Sequence, residues 1–217
     1  MARIDDYNMA LEIAKNELSK RNPLHVCRLS GASWEEKSGS TTMRLRFLNR
    51  TITISWPDLL FYQGSNEEVP IKERILILHY MNGSERGHLT GELIAYQDIS
   101  FARFYVDAFN RRVKYPMINA FGNRPDQLPG LARELFAART ASLGDISVLI
   151  QALPKIPVTL VIWKGGEEFP SDGTILFDSS IKDILSAEDI SELTSRIVYP
   201  LIAKVDAPPQ TEDDRGS

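Results

Sequence analysis

The sequence predicts an α+β fold: one domain in which a mixed or antiparallel sheet packs with a buried central helix and peripheral helices. Three observations predict it. Apolar residues recur at helical spacing near the amino terminus, they alternate with polar residues from Met43 onward, and short β-branched runs bounded by Pro and Gly fill the last third. No repeat or linker is evident, so we expect a single domain over 1–205 and a disordered acidic tail over 206–217.

The first predicted element is an amphipathic helix. The residues on its apolar face recur at helical spacing and are Tyr7, Leu11, Ala14 and Leu18. Asn22-Pro23 ends this pattern. A strand through His25 and Cys27 would then place both side chains on one face, which we interpret as packing because no further ligand stands nearby.

A β-hairpin is predicted next. Apolar residues alternate with polar ones along both of its strands and are Met43, Leu45, Phe47, Ile52, Ile54 and Trp56. Asn49-Arg50 is the expected turn, because Asn tolerates the positive φ that tight hairpins require.

A helix from Pro70 to Asn82-Gly83 is predicted to lie in the middle of the core. Pro70 suits the first turn of a helix, and Asn82-Gly83 suits a left-handed cap at its end. The stretch from Ile75 to Met81 is apolar on nearly every side, which is typical of a helix surrounded by the core. His79 lies in this stretch, and we expect a neutral ring bonded to a backbone carbonyl.

The middle of the chain predicts a strand from about Leu89 to Tyr96 and then two helices. The first of these helices begins near Asp98 or Ser100 and carries an aromatic face. The residues of that face are Phe101, Phe104, Tyr105 and Phe109. Aromatic residues at helical spacing are more often core than cofactor pocket, so we expect them to be buried. The second helix lies near Leu128 to Ala138.

The last third predicts three strands and a final helix. The strands are short apolar runs over 146–153, 157–163 and 174–177. The helix begins at Ser186, and Pro200 should end or kink it because proline lacks an N–H group.

The stretch from Gly165 to Gly173 must reverse the chain between two of these strands, and we interpret it first as a solvated turn with Phe169 on the core edge. In extended chain Glu167 and Glu168 point to opposite sides, which argues against a paired acid and base. The loop is nevertheless longer than most hairpin loops, and Asp178 stands at a strand end. A site for a hard cation or an amine therefore stays open.

Composition and charge argue against some classes of partner. Of 217 residues, 43% are hydrophobic and 25% are charged, and the formal charge of −4 resides mostly in the tail, so the nearly neutral body argues against nucleic acid as a partner. No signal peptide or apolar run of about 18 residues is present, so we expect a cytoplasmic protein without membrane association.

Common catalytic and metal-binding motifs are missing. Cys27 is the only cysteine, which rules out an internal disulfide and a four-cysteine metal site. His79 and His88 with Glu92 or Asp98 are too few ligands at known spacing to predict a metal site. The sequence also lacks a nucleophile elbow, a phosphate loop and a dinucleotide fingerprint, which disfavours the common hydrolase, NTPase and Rossmann classes.

Three segments carry a resemblance to a known family: Leu78-His79-Tyr80, Gly91 to Ile99, and Ile156 to Pro170 with Ile175 to Asp178. Over roughly residues 7–201 the chain resembles the family DUF3786, which occurs in bacteria and archaea, mainly in anaerobes, and is catalogued as a domain of unknown function. The resemblance implies anaerobic metabolism around metal or corrinoid cofactors and implies no reaction. It favours a functional role for the polar residues His79, Glu167, Glu168 and Asp178.

Three functions stay open. The first is a small-molecule or cofactor binding or accessory protein, with tetrapyrroles or corrinoids among the ligands. Its candidate site residues are His79, Tyr80, Trp163, Glu167, Glu168, Phe169 and Asp178. The second is a protein-interaction module that contacts its partner through the acidic tail or a sheet edge. The third is an enzyme that uses Glu167 or Asp178 with His79 as acid and base in an unknown reaction. The residues do not identify a cofactor.

Overall fold

A computed structural model describes residues 4–37, 40–64 and 67–205 and has the predicted α+β architecture. It contains two antiparallel sheets of five strands each. Buried hydrophobic side chains from both sheets and from the central helix belong to one core cluster. The predicted acidic tail over 206–217 lies outside the described residues. Within the described ranges, no helix combines the length and the apolar character needed to cross a membrane.

The first half of the chain forms one sheet and three helices. In order, these elements are α1 (Ile4–Ser19), α2 (Pro23–Ser30), β1 (Ser33–Lys37), β2 (Ser40–Phe47), β3 (Arg50–Trp56), β4 (Phe61–Gln63), β5 (Glu67–Glu68) and α3 (Ile71–Gly83). The strands pair with their sequence neighbours in the order β1-β2-β3-β4-β5. The predicted first helix and the predicted hairpin strands are confirmed, because local periodicity alone specifies them.

The strand considered for His25 and Cys27 is the helix α2 instead. The Asn22 side chain accepts a hydrogen bond from the His25 backbone N–H at 3.1 Å, and Pro23 occupies the first turn. Asn before Pro is a helix start signal, since the missing proline N–H would have no partner there. Gly31, with φ of 74°, ends the helix in a left-handed conformation.

The hairpin turn between β2 and β3 is Leu48-Asn49, one residue earlier than predicted. Phe47 pairs with Arg50, which places Arg50 in the strand. Leu48 has φ of 54° and is 6% exposed, and its N–H donates to Ala152 of the second sheet at 2.7 Å. Burial of the leucine side chain and this hydrogen bond offset an unfavourable backbone conformation that the sequence did not predict.

The second half forms the other sheet and five α-helices. In order, these elements are β6 (Leu93–Ala95), α4 (Val106–Phe109), α5 (Tyr115–Phe121), α6 (Leu128–Phe136), β7 (Arg139–Thr140), β8 (Ile146–Leu153), β9 (Ile156–Trp163), β10 (Asp172–Asp178), α7 (Ile181–Ile184) and α8 (Ala187–Val205). The sheet order is β6-β10-β9-β8-β7. The strands predicted over 146–153, 157–163 and 174–177 are confirmed. The strand expected over 89–96 is confined to β6.

The aromatic helix expected after Asp98 is wrong in both form and burial. Residues Ser100–Tyr105 form a 3₁₀ helix, in which Phe101 is 44% exposed and Phe104 is 96% exposed. Phe109 is buried, and its ring stacks on Tyr96 with centroids 3.9 Å apart. A 3₁₀ helix has three residues per turn, so the side chains do not share the face that an α-helix would give them.

The central helix α3 is confirmed as a core element, and it packs against α1, α2, α7 and α8. Its end differs from the prediction, because Ser84 caps it with φ of −61° and no left-handed residue is used. Gly83 is required there for another reason: a Cβ atom would collide with the carbonyl of Ile184 in α7. The final helix α8 begins as expected and continues through Pro200 to Val205.

Candidate functional site

A surface cavity of about 580 Å³ lies where α3 meets α7 and the start of α8. The residues that line it come from four parts of the chain and include Glu17, His79, Asn82, Phe101, Lys182 and Asp189. We call it the His79 cavity. The sequence predicted only one of these residues, His79, as part of a site.

His79 and Asp189 form a close pair at this cavity. The Nδ1 atom of His79 lies 2.9 Å from Oδ1 and 3.0 Å from Oδ2 of Asp189. The imidazole is partly open, since the His79 side chain is 38% exposed and that of Asp189 is 13% exposed. The expected bond to a backbone carbonyl is therefore wrong, because a carboxylate from a distant helix takes that position.

The start of α8 fixes the Asp189 carboxylate before it meets the histidine. Ser186 Oγ accepts from the Asp189 backbone N–H at 3.1 Å, and the Ser186 backbone N–H donates to Asp189 Oδ2 at 3.2 Å. This reciprocal arrangement is a capping box, which satisfies free N–H groups at the start of a helix. The Ser186 hydroxyl also donates to Oδ2 at 2.7 Å. The carboxylate thus has little freedom to leave His79.

The Asp189 carboxylate favours the charged form of His79. Its hydrogen bond raises the pKa of His79 above 6.5, partial burial acts in the opposite direction, and the negative charges of Asp189 and Glu17 raise the pKa further. Because Nδ1 donates to Asp189, the other ring nitrogen, Nε2, is the one left for a ligand. The described part of the chain offers Nε2 no hydrogen-bond partner.

Asn82, which also lines the cavity, has a buried acceptor that is not satisfied. Its Nδ2 donates to the Ala14 carbonyl at 3.1 Å, whereas its Oδ1 is buried without a hydrogen-bond partner in the described residues. An unsatisfied buried polar atom costs about 1–3 kcal/mol, so such atoms are uncommon in folded proteins. The partly exposed ring of His79 therefore offers Nε2 to the cavity, whereas the unsatisfied Oδ1 of Asn82 is buried beneath it and is not open to a ligand.

The charges around the cavity balance. Apart from the His79–Asp189 pair, two cations and two acids line it: Arg86, Lys182, Glu17 and Asp183. Arg86 is held in place, because its Nε donates to the Asp183 carbonyl at 3.0 Å. The exposed ring of Phe101 adds a flat apolar surface. This combination suits a polar molecule without strong net charge that has a planar part.

Tyr80, which follows His79, does not line the cavity. Its side chain is fully buried, and its hydroxyl donates to the Ser30 carbonyl at 2.6 Å while accepting from the Lys155 N–H at 3.2 Å. Burial raises the pKa of Tyr80 well above its ordinary value. The hydroxyl connects α3 to the end of α2, which is a structural role.

Asp178 is a structural carboxylate at the far end of β10. It is buried and accepts hydrogen bonds from the Thr90, Gly91 and Ser180 backbone N–H groups at 2.7–3.1 Å. The Ser180 hydroxyl adds another at 2.7 Å. Burial alone would raise the pKa of Asp178, but these donors outweigh it and lower the pKa to about 2. A carboxylate surrounded by donors in this way has little capacity left for a cation.

The acidic loop after β9 is a turn, as predicted, and lies outside the His79 cavity. Its strands pair antiparallel, with Trp163 opposite Asp172. Glu167, Glu168 and Phe169 are exposed, and Phe169, at 74%, is not on the core edge as expected. The loop joins the amino-terminal end of β10, roughly 20 Å from Asp178 for a strand of this length. The fold thus keeps Glu167 and Asp178 apart.

Metal ligands do not converge in the part of the chain that the structure describes. No group of three His, Cys, Asp or Glu side chains there is arranged to hold an ion. The set considered from the sequence, His79 and His88 with Glu92 or Asp98, is accordingly not brought together. Asp98 instead accepts from the Ala95 N–H at 2.9 Å.

Comparison with known proteins identifies a family that this chain matches. The model of the family described as "Domain of unknown function (DUF3786)" matches residues 22–199. Neither the curated proteins nor the solved structures include a match to this chain. The matched range contains every residue of the His79 cavity except Glu17.

Proposed function

Since the chain belongs to the DUF3786 family, whose description assigns no activity, we propose from the site geometry that it binds a small molecule in the His79 cavity. The observation that carries this proposal is the His79–Asp189 pair at the wall of a cavity of about 580 Å³. Ligand cavities of a few hundred cubic ångströms with a few fixed polar groups are typical of small-molecule sites. The protein is further proposed to act in the cytoplasm, in anaerobic metabolism.

The ligand class follows from the unused groups. His79 Nε2 is held in place through the other ring nitrogen, so it can donate to an acceptor on the ligand with little loss of entropy. The balanced charges favour a neutral or zwitterionic molecule, and Phe101 favours a planar ring. We propose a polar, planar ligand of this kind.

A tetrapyrrole or corrinoid is the narrower form of this proposal. A histidine that binds a metal usually donates its other ring nitrogen to a carboxylate or carbonyl, as His79 does to Asp189. In the neutral form of the ring, with its proton on Nδ1 toward Asp189, His79 Nε2 would be the nitrogen that could bind the metal of such a ring. The chain's own residues would otherwise contribute the aromatic surface of Phe101, and Arg86 and Lys182 could pair with carboxylate side groups only in competition with Glu17 and Asp183.

The test is a thermal-shift screen of the purified chain with nucleobases, pterins, zwitterionic metabolites, haem and cobalamin. A ligand that binds only the folded state raises the melting temperature by mass action. The expected result is a rise with at least one compound that is lost in His79→Ala and weakened in Asp189→Asn. For haem, a shift of the Soret band that depends on His79 provides a second measurement.

Glu167→Gln is the matched control, because Glu167 is exposed and lies outside the cavity. It should leave every ligand response unchanged. A screen in which no compound raises the melting temperature contradicts the proposal. So does a response that survives His79→Ala, since the ligand would then bind elsewhere.

An enzyme that uses His79 as a general acid or base is a second candidate. The Asp189 carboxylate orients the imidazole and stabilises its protonated form, which is how acid–base histidines are commonly held. The acid–base partner would be Asp189, in place of Glu167 or Asp178. Turnover of a bound ligand by wild type, lost in His79→Gln with binding retained, would support this candidate.

A protein-interaction module is a third candidate, favoured by exposed aromatic side chains. Phe104 is 96% exposed and Phe169 is 74% exposed, and aromatic side chains are enriched in protein–protein interfaces. A pull-down with wild type, Phe104→Ser and Phe169→Ser tests it. A partner captured equally by all three proteins would not use these rings.

A further inference from the structure

A second cavity, of about 550 Å³, lies between the start of α3 and the middle of α8. The tip of the β2–β3 hairpin and the end of α6 complete its wall. Its apolar lining comes from Leu48, Leu135, Phe136 and Pro200, and its charged lining includes Arg50 and Arg196. We call it the arginine cavity.

A buried carboxylate holds the two arginines in place. The Glu73 side chain is only 6% exposed, and its two oxygens each accept one hydrogen bond: Oε2 from Arg50 Nη2 and Oε1 from Arg196 Nη1, both at 2.7 Å. A buried acid without a partner would be very costly, so Glu73 ties both guanidinium groups to one point. Their positions are therefore set before any ligand arrives.

The two guanidinium groups have more donors than their partners can accept. Arg50 also donates to Gln63 Oε1 at 2.6 Å, and Arg196 donates twice to Glu192 Oε1 at 2.9–3.1 Å. A guanidinium has five N–H groups, so within the described residues Arg50 keeps three without an acceptor and Arg196 keeps two. Both side chains are partly exposed, at 37% and 25%. N–H groups at a cavity that have no protein acceptor favour a ligand with acceptor oxygens.

The local charge favours the same kind of ligand. Lys72 lies 3.7 Å from Glu192, so three cations, Arg50, Arg196 and Lys72, surround two acids, Glu73 and Glu192. The cluster therefore carries one net positive charge. A cationic ligand would meet two acids that are already bound, whereas an anion would meet unused N–H groups.

We propose that the arginine cavity binds an organic carboxylate whose apolar body rests on Leu48, Leu135 and Phe136. The carboxylate would accept from the free N–H groups of Arg50 and Arg196, in a planar arrangement that guanidinium groups favour. This site does not depend on the His79 cavity, and the two proposals can fail separately.

The test is isothermal titration of the purified chain with octanoate and with octylamine, which have the same chain length and opposite charges. We expect octanoate to bind at one site and octylamine not to bind. Arg50→Met should weaken octanoate binding at least tenfold. The matched control Arg44→Met removes an arginine of β2 that pairs with exposed Glu35, and it should not change the affinity.

Leu135→Trp provides a second test that leaves the charged cluster intact. The larger ring should fill the apolar part of the cavity and weaken octanoate binding at least tenfold, even if Arg50→Met proves too unstable to study. His79→Ala should bind octanoate as wild type does. The proposal is overturned if octanoate does not bind, if octylamine binds equally well, or if His79→Ala abolishes binding while Leu135→Trp retains it.

Discussion

The carboxylate of Asp189 holds the imidazole of His79 through both of its oxygens, at 2.9 and 3.0 Å from Nδ1. The two residues are 110 positions apart in the sequence. Glu73, early in α3, pairs with Arg196, whereas His79, late in α3, pairs with Asp189, so the two helices run antiparallel. This single helix contact positions both cavities.

The His79–Asp189 pair should make stability depend on pH. The folded pKa of His79 lies above the ordinary 6.5, so the stabilisation it contributes is complete below about 6.5 and is lost as pH rises through the folded pKa. Asp189→Asn should lower the pKa of His79 and remove this loss. The measurements are an NMR titration of the His79 ring and urea unfolding between about pH 6 and 9.

Glu188→Gln is the control for this titration, since Glu188 is the exposed neighbour of Asp189 on α8. It should leave the His79 midpoint where it is in wild type. An unchanged midpoint in Asp189→Asn would mean that the carboxylate does not govern the protonation of His79.

Asp178→Asn should destabilise the fold by about 3 kcal/mol, because an amide has one acceptor oxygen and its NH₂ group would face the donors of Thr90, Gly91 and Ser180. With the folded pKa at about 2, below the ordinary 3.8, the stability from Asp178 is present above 3.8 and is lost as pH falls through about 2. Urea unfolding near pH 7 and acid unfolding of both proteins check this prediction.

Asp172→Asn, at the other end of β10, is the matched control. Its side chain is 65% exposed and lies 3.6 Å from Lys114, so its loss should change stability by less than about 0.5 kcal/mol. Equal losses in the two variants would mean that Asp178 is not the hub of its hydrogen-bond network.

Gly83→Ala and Gly130→Ala should change stability in opposite directions. At Gly83 the new methyl group would collide with the Ile184 carbonyl and separate α3 from α7, at a cost of roughly 2 kcal/mol or more. At Gly130, within α6, it would meet no atom within 4 Å, and the gain in helix propensity should be about 0.5–1 kcal/mol. Chemical unfolding of both variants distinguishes the effects. Two gains of similar size would show that the α3–α7 contact is loose.

Ala137→Gly should stabilise the protein by about 1 kcal/mol. Ala137 caps α6 with φ of 52°, a left-handed conformation in which glycine avoids the Cβ strain that alanine suffers. Ala138→Gly, at the buried next residue, has no such strain to relieve and should lower stability. Melting temperatures of the two variants give the comparison, and a drop in Ala137→Gly would mean that the surroundings favour alanine.

Much of the secondary structure could be predicted because it depends on residues close together in the sequence. The apolar spacing of Leu11, Ala14 and Leu18 is enough for α1, and Ser186 with Asp189 marks the start of α8. The predictions fail where the backbone departs from the conformation that the residue spacing assumes. Phe104 has the spacing of a core residue, but a 3₁₀ helix turns it into solvent, and Leu48 adopts a left-handed turn because a partner strand binds it.

The candidate site likewise contains residues that the sequence predicted and residues that it missed. His79 was predicted from its place in an apolar helix, whereas Asp189 and Phe101 were missed because their spacing in the sequence shows no relation to it. Asn82, three residues after His79 on the same helix, was missed because it was interpreted as part of the helix cap. The capping motif that begins at Ser186 could have indicated Asp189, because it fixes this carboxylate and leaves it able to accept a further hydrogen bond. Glu167 and Asp178 are close in sequence, and the extended strand between them carries them apart.

By itself, the sequence determined the α+β class, the buried central helix, the main strands and the turn after β9, because each depends on periodicity or turn chemistry within a short segment. Only the tertiary structure decided which polar groups meet: His79 with Asp189, and Glu73 with Arg50 and Arg196. The physical reason is that hydrogen bonds and ion pairs act over a few ångströms. Packing of the hydrophobic core, which has no directional preference, determines which helices come that close.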